Sequence, residues 1–270
     1  MKLQINWLTS IAIALATCGI ASHGFAATVE GFTEPFRTIH VASPESGIVS
    51  RVFVREGDTV TAGQQLVALD DEVHRMLLEI AKQQMDATGR INSTRAELEL
   101  HRSRFAKLSE LRRAGQAYQQ EVDRARADVE VAQGRVLAIE EELTLRKLEH
   151  KKIAVQLDRR TVTAPVNGVV TMLTKNPGEY VSPVDPEVLT LVQLNPLRAT
   201  FLMDRELSAK VRVGSQVTIA FTDSDLKASG VVEQVSELTD AESGTVPVRI
   251  RVDNHEGKYR SGERCTVEVK

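Results

Sequence analysis

The sequence predicts a mixed α and β, elongated chain: a small β-sandwich split by an antiparallel α-helical coiled-coil hairpin, followed by a small antiparallel β-barrel. Three observations predict it. One stretch of sequence recurs at a fixed offset of 121 residues, the segment between its two copies has no proline and keeps a heptad rhythm, and the residues after 195 return to strand alternation.

The first copy reads SPESGIVSRVFVREGDTV and the second APVNGVVTMLTKNPGEYV, so that Pro44 pairs with Pro165, Gly47 with Gly168, Val49 with Val170, Gly57 with Gly178 and Val60 with Val181. Each copy closes on an apolar strand, Leu66 to Leu69 and Val188 to Val192. Proline fixes φ at a strand edge, and glycine permits the positive φ that a tight turn requires. Gly47, Gly57, Gly168 and Gly178 are therefore assigned to turns, and short alternating strands between them make a two-part sandwich from residues 41–71 and 160–195.

Residues 72–159 contain only three glycines, Gly89, Gly115 and Gly134, and read as helix. One seam runs Val73, Leu77, Ile80, Gln84, Ala87, Ile91, Thr94, Leu98, His101, Phe105 and Leu108 in an unbroken 4-3 rhythm. A second runs Tyr118, Val122, Ala125, Val129, Ala132, Val136, Ile139, Leu143, Arg146, His150, Ile153 and Leu157. If the chain reverses at Gly115, facing residues have numbers that sum to 230, so Leu98 meets Ala132 and Ile91 meets Ile139. Arms of about 40 residues reach about 60 Å at 1.5 Å per residue. His101 then faces Val129 and His150 faces Ile80, too far apart to share a metal, and no metal site is expected.

The segment 196–270 alternates again, with Val217, Ile219 and Phe221 on one face and Val246, Val248, Ile250 and Val252 on another. Turns at Gly214, Gly230, Asn254 to Gly257 and Gly262 fit a small barrel, and residues 28–40 form a strand leading in from it. Cys265 shares strand parity with Val267 and Val269, so it is expected as a buried small apolar residue.

The first 27 residues read as a secretory signal, with Lys2 before an apolar run from Trp7 to Ala21 and small residues after it. That run is shorter than the roughly 20 residues a membrane-spanning helix needs. The string LATCGIAS sets Leu15 three residues before Cys18, as a lipoprotein signal would, although Thr17 is a poor residue beside the cleaved bond. Both a cleaved leader and a lipid anchor at Cys18 stay open. Without Lys2 the chain keeps 33 basic against 37 acidic side chains, a net of −4 spread without long runs, which gives no footing for nucleic acid. Cys265 has no mature cysteine to pair with. There is no HExxH, GxSxG or phosphate loop, and no cofactor or catalytic set is expected.

The split repeat, the inserted heptads and VRIRVDNHEGKYRSGERCTVEV, with its Asn254, Gly257 and Gly262 turns, together resemble the HlyD/AcrA-type periplasmic adaptor (membrane fusion protein) family across nearly the whole chain after the leader. The resemblance implies a lipoyl-like sandwich and a periplasmic adaptor associated with the inner membrane. It would bridge an inner-membrane transporter to an outer-membrane channel as a homo-oligomeric ring of six. The end at Lys270 leaves no room for a further membrane-proximal domain, as in a short form; a resistance-nodulation-division pump is the favoured partner and an ATP-driven exporter stays open.

Family hairpin tips commonly carry an Arg, a Leu four residues on and a Ser seven further, which dock on the channel. Here Lys107 stands at the Arg position, Leu111 matches, Gly115 is kept and Tyr118 replaces the Ser. Lysine loses the bidentate fork of arginine, and tyrosine keeps a hydroxyl at a different reach. The resemblance assigns Lys107, Leu111, Gly115 and Tyr118 to channel docking, with Leu111 expected to be exposed; the same residues also suit a plain helix connection. The rival is a lipoyl or biotinyl carrier subunit of an enzyme complex, which needs a modifiable lysine in the turn joining the two halves. The hairpin replaces that turn, entered through Asp70-Asp71 and left through Arg159-Arg160.

Overall fold

The computed structural model describes residues 27–269; the signal segment and Cys18 lie outside them. The chain divides into two compact units, one from residues up to 34 with 198–253 and 259 onward, the other from 35–197 with 254–258.

The first unit is a barrel. It uses the leading part of β1 (Ala27–Ala42), the trailing part of β8 (Glu187–Asp204), β9 (Gln216–Phe221), β10 (Lys227–Val235), β11 (Thr245–Val252) and β12 (Arg264–Val269). They neighbour in the order β1-β12-β9-β10-β11-β8, and β8 returns to β1. At that closure a Cβ on Gly31 would lie 2.4 Å from the Thr200 carbonyl oxygen, so only glycine lets the two strands meet. Alternation fills the interior with Phe201, Met203, Ile219, Phe221, Val248 and Ile250. Cys265 lies fully buried among them, and burial, followed by the charge of Glu263, pushes its thiol up to about 12. It is a packing residue. The turn glycines Gly214 and Gly262 have φ of 86° and 87°. Gly230 is not in a turn: it lies inside β10, where a Cβ would meet the Ile250 side chain at 2.5 Å.

The second unit holds a β-sandwich and three helices. One sheet runs β5 (Thr161–Thr163), β4 (Gln65–Leu69), β2 (Gly47–Val52), β7 (Tyr180–Val181); the other joins β3 (Thr59–Val60), β6 (Gly168–Leu173) and the start of β8. The two copies of the repeat interlock. Gly47 pairs with Val181 and Val60 with Gly168, so each half lends its short strand to the other. The turns are equivalent bond for bond. Gly57 N–H donates to Val170 and Gly178 N–H to Val49, both at 2.8 Å, and Asp58 and Glu179 accept from the backbone N–H three residues earlier. Gly57 and Gly178 both have φ of 91°, as such turns require. Gly47 and Gly168 are strand starts rather than turns. At Gly168 the reason for glycine is close approach, since a Cβ would lie 2.4 Å from the Val192 carbonyl oxygen.

Between the halves run α1 (Glu72–Asp86), α2 (Gly89–Arg113) and α3 (Gln119–Asp158). Asp70 accepts from the Glu72 N–H at 3.2 Å and Asp71 pairs with Arg75, which starts α1 where negative charge suits the helix dipole. α2 and α3 run antiparallel: Ile91, Leu98, Ala132, Val136 and Ile139 form one buried cluster. Ion pairs Arg90–Glu142 at 2.8 Å and Glu97–Arg135 at 2.9 Å cross between them, with number sums of 232, close to the expected 230.

The seam departs from expectation in α1. The helix breaks at Ala87 (ψ 87°), and α1 presents His74, Leu78, Ala81 and Met85 to the seam instead of Val73, Leu77, Ile80, Gln84 and Ala87. The break absorbs one residue of phase. His150 is half-buried while Ile80, its expected partner, is 53% exposed.

Candidate functional site

The far end of the arm is built from standard helix chemistry. α2 ends in a Schellman closure: Gly115, at φ 75°, donates to Arg112 at 3.0 Å, and Gln116 donates to Leu111 at 2.8 Å. Arg112 and Arg113 complement the carboxyl end of the α2 dipole. α3 then starts at Tyr118, whose N–H donates to the Glu121 carboxylate at 2.9 Å, one half of a capping box. Just inside, Val122 and Ala125 are buried and Arg126 lies over the Phe105 ring at 5.8 Å.

This geometry sorts the sequence-predicted residues. Lys107 and Gly115 are exposed, and Tyr118 is 80% exposed. Leu111 is only half-buried by contrast, so the expectation of an exposed leucine anchor is corrected; its carbonyl closes the Schellman motif. Arg112 and Arg113, both exposed at the end of α2, were not singled out by sequence reasoning. Two basic residues ending a helix before glycine are too common a terminator to mark a surface. The tip thus offers an exposed tyrosine together with exposed basic residues (Lys107, Arg112, Arg113) and exposed acidic ones (Glu110, Glu121, Asp123).

The root of the arm is held by Arg160. Its guanidinium donates to the Asp70 carbonyl at 2.7 Å and the Ser46 carbonyl at 3.2 Å, while Leu69 N–H donates to the Arg160 carbonyl at 2.9 Å. A Cβ at Gly47 would press on this guanidinium at 2.8 Å. Asn254, also buried, donates from its amide to the Leu194 carbonyl at 3.1 Å and opens the turn that Gly257 (φ 63°) closes, a positioning role for a residue assigned to a turn. Among the described residues no group of His, Cys, Asp and Glu could hold a metal, and no helix is long and apolar enough to cross a membrane.

Residues 37–193 match the family model described as RND MFP, barrel-sandwich hybrid domain. The chain belongs to the RND membrane fusion protein family. Among curated relatives of this membrane fusion protein, the cobalt-zinc-cadmium resistance protein CzcB of Cupriavidus metallidurans is 25% identical over 272 residues, covering 100% of this chain and 50% of its own. The multidrug resistance protein MdtA of Cronobacter turicensis is 25% identical over 227 residues, 81% of this chain and 52% of its own. The chain thus spans about half the length of these relatives. The crystal structure of MacA from Actinobacillus actinomycetemcomitans shares the fold, with a TM-score of 0.77 at 19% identity, covering 90% of this chain and 78% of that one.

Proposed function

We propose that this membrane fusion protein is a periplasmic adaptor, not an enzyme, in a multi-component efflux or secretion system, joining an inner-membrane transporter to an outer-membrane channel. The observation that carries the reading is the interlocked repeat, matched by the RND family model, opened at its middle into a helical hairpin. In a lipoyl-like carrier that place would be a tight turn displaying a lysine; here it is a lever ending in a polar tip. The hairpin tip, through Lys107, Tyr118 and the neighbouring arginines, docks the channel. The lipoyl-like sandwiches pack side by side in a ring, six-membered by family resemblance, and the barrel meets the transporter. An RND transporter is favoured by the family description. The names of CzcB and MdtA point to different cargo, so the transported class stays outside the reading.

Site-specific cross-linking in the native host tests this. A photo-reactive residue at Tyr118 should capture an outer-membrane protein, and one at exposed Val213 of the barrel should capture an inner-membrane transporter. Tyr118→Asp should cut tip capture and export at least tenfold while leaving thermal melting and transporter capture unchanged. Unchanged export and capture would reduce the tip to a helix connector; a lipoyl or biotinyl mass increment on any lysine would replace the adaptor with a carrier.

A further inference from the structure

We propose that α1 has two seats on α3 and rolls between them by one residue, about 100° about its own axis. In the present seat His74, Leu78, Ala81 and Met85 face α3, and Val73, Met76, Leu77 and Ile80 are left 65%, 60%, 43% and 53% exposed. Large apolar side chains are not left out in a row along a helix without consequence. Three of them, Val73, Leu77 and Ile80, belong to a complete second seam. Val73, Leu77, Ile80, Gln84 and Ala87 continue in unbroken 4-3 phase into Ile91 and Leu98, which are buried in α2. α3 accepts either seat, because its own seam of Leu143, Arg146, His150, Ile153 and Leu157 stays half-buried and in phase along the whole of α1.

A second, independent observation shows what holds the present seat. The break at Ala87 frees carbonyls at the end of α1, and Arg146 donates to the Gln84 carbonyl at 3.1 Å. Glu142 in turn holds Arg146 at 2.7 Å and Arg90, on α2, at 2.8 Å. This bridge spans the break on both sides. In the rolled seat α1 and α2 become one helix, and the Gln84 carbonyl accepts from the Thr88 N–H, four residues on, in place of Arg146. Val73, Leu77 and Ile80 go in, Leu78 and Met85 come out, and the apolar exchange is close to even. Thr88 and Gly89, weak helix formers at the junction, oppose fusion. Two packings this closely matched make a bistable element, which turns a broken arm into a continuous one without unfolding α3 or the sandwich.

The test uses the full chain in a Cys18→Ala background, where Cys265 is buried and unreactive. Ala81→Cys with His150→Cys traps the present seat under mild oxidation, and Ile80→Cys with His150→Cys traps the rolled one. The 81–150 bond should form fast. The 80–150 bond should form slowly, and at least tenfold faster once Gly89→Ala and Arg146→Gln favour the fused helix. In parallel, those two changes should slow thiol labelling of Leu77→Cys and speed that of Leu78→Cys. An 80–150 rate indifferent to both changes, with position 77 still freely labelled, overturns the roll. So does protection of position 77 that grows only with protein concentration while position 78 is unaffected, because a second copy then covers the stripe.

Discussion

In the sandwich, Leu66, Val67, Val170, Val188, Leu189 and Leu191 are each sealed to 0% exposure by both repeat copies. The helical arm seals only a thin seam (Ala81, Ile91, Leu98, Val122, Ala125, Ala132, Val136 and Ile139) and leaves Leu100, Val131, Leu137, Leu145 and Leu148 more than half exposed. Two sheets enclose a volume, whereas two helices share a line of contact. The sandwich therefore loses stability as a whole when one residue is trimmed, while the arm can open locally.

Leu66→Ala should sharpen this contrast most. It removes a fully buried side chain from a core with no room to collapse, and should lower the unfolding free energy of the sandwich by about 3 kcal/mol, seen as a shifted urea midpoint. Leu98→Ala, at 6% exposure in the seam, should cost about 2 kcal/mol and show a different pattern. Hydrogen exchange should rise across residues 89–143 with the sandwich amides unchanged; equal acceleration in both would mean that they unfold as one body. Gly115→Ala forces a Cβ into the left-handed region at φ 75° and should cost about 1 kcal/mol, confined to exchange at the tip.

The smallest effect separates the two repeat turns. The carboxyl of Glu179 is held below the ordinary glutamate value first by the Asn176 N–H and then by the Asn176 side chain. A lowered folded value gives stability that is present above the unfolded value and lost as pH falls through the folded one. Glu179→Gln should lower the melting point slightly at neutral pH and flatten the acid limb of the profile, so that the variant and the parent converge as pH falls through the folded value. An acid limb identical to that of the parent would leave the bond without thermodynamic weight.

The repeat was legible because turn glycines and strand parity are local signals, and its offset of 121 carried over to bonds such as Gly57 to Val170 and Gly178 to Val49. Gly168 was legible as special but not in kind, since its closeness to Val192 is set by a strand far along the chain. In the arm the α3 seam could be read from Val122 to Leu157, though not at Tyr118, which is exposed. The α1 seam could not, because helix rhythm gives phase only while the helix continues, and α1 carries two apolar stripes one residue apart. At the tip, Gly115 marked the reversal, but no local pattern told that Leu111 would be half-buried and Tyr118 exposed.

The exchange of short strands between the repeat copies has a consequence for how the chain acquires its structure. Ile48 pairs with Tyr180, 132 residues away, so neither half can finish before the other has been made. Searching for that contact through a loose loop would be slow. Helices form and zip together locally far sooner, and once α1 to α3 have folded back, residues 69 and 160 arrive side by side, as the 2.9 Å bond between them shows. Shortening the effective loop from about 90 residues to a few removes roughly 3 kcal/mol of closure entropy from the remaining step. The arm thus acts as a folding clamp, and a chain with its arm replaced by a flexible linker of equal length should refold markedly more slowly into the same sandwich.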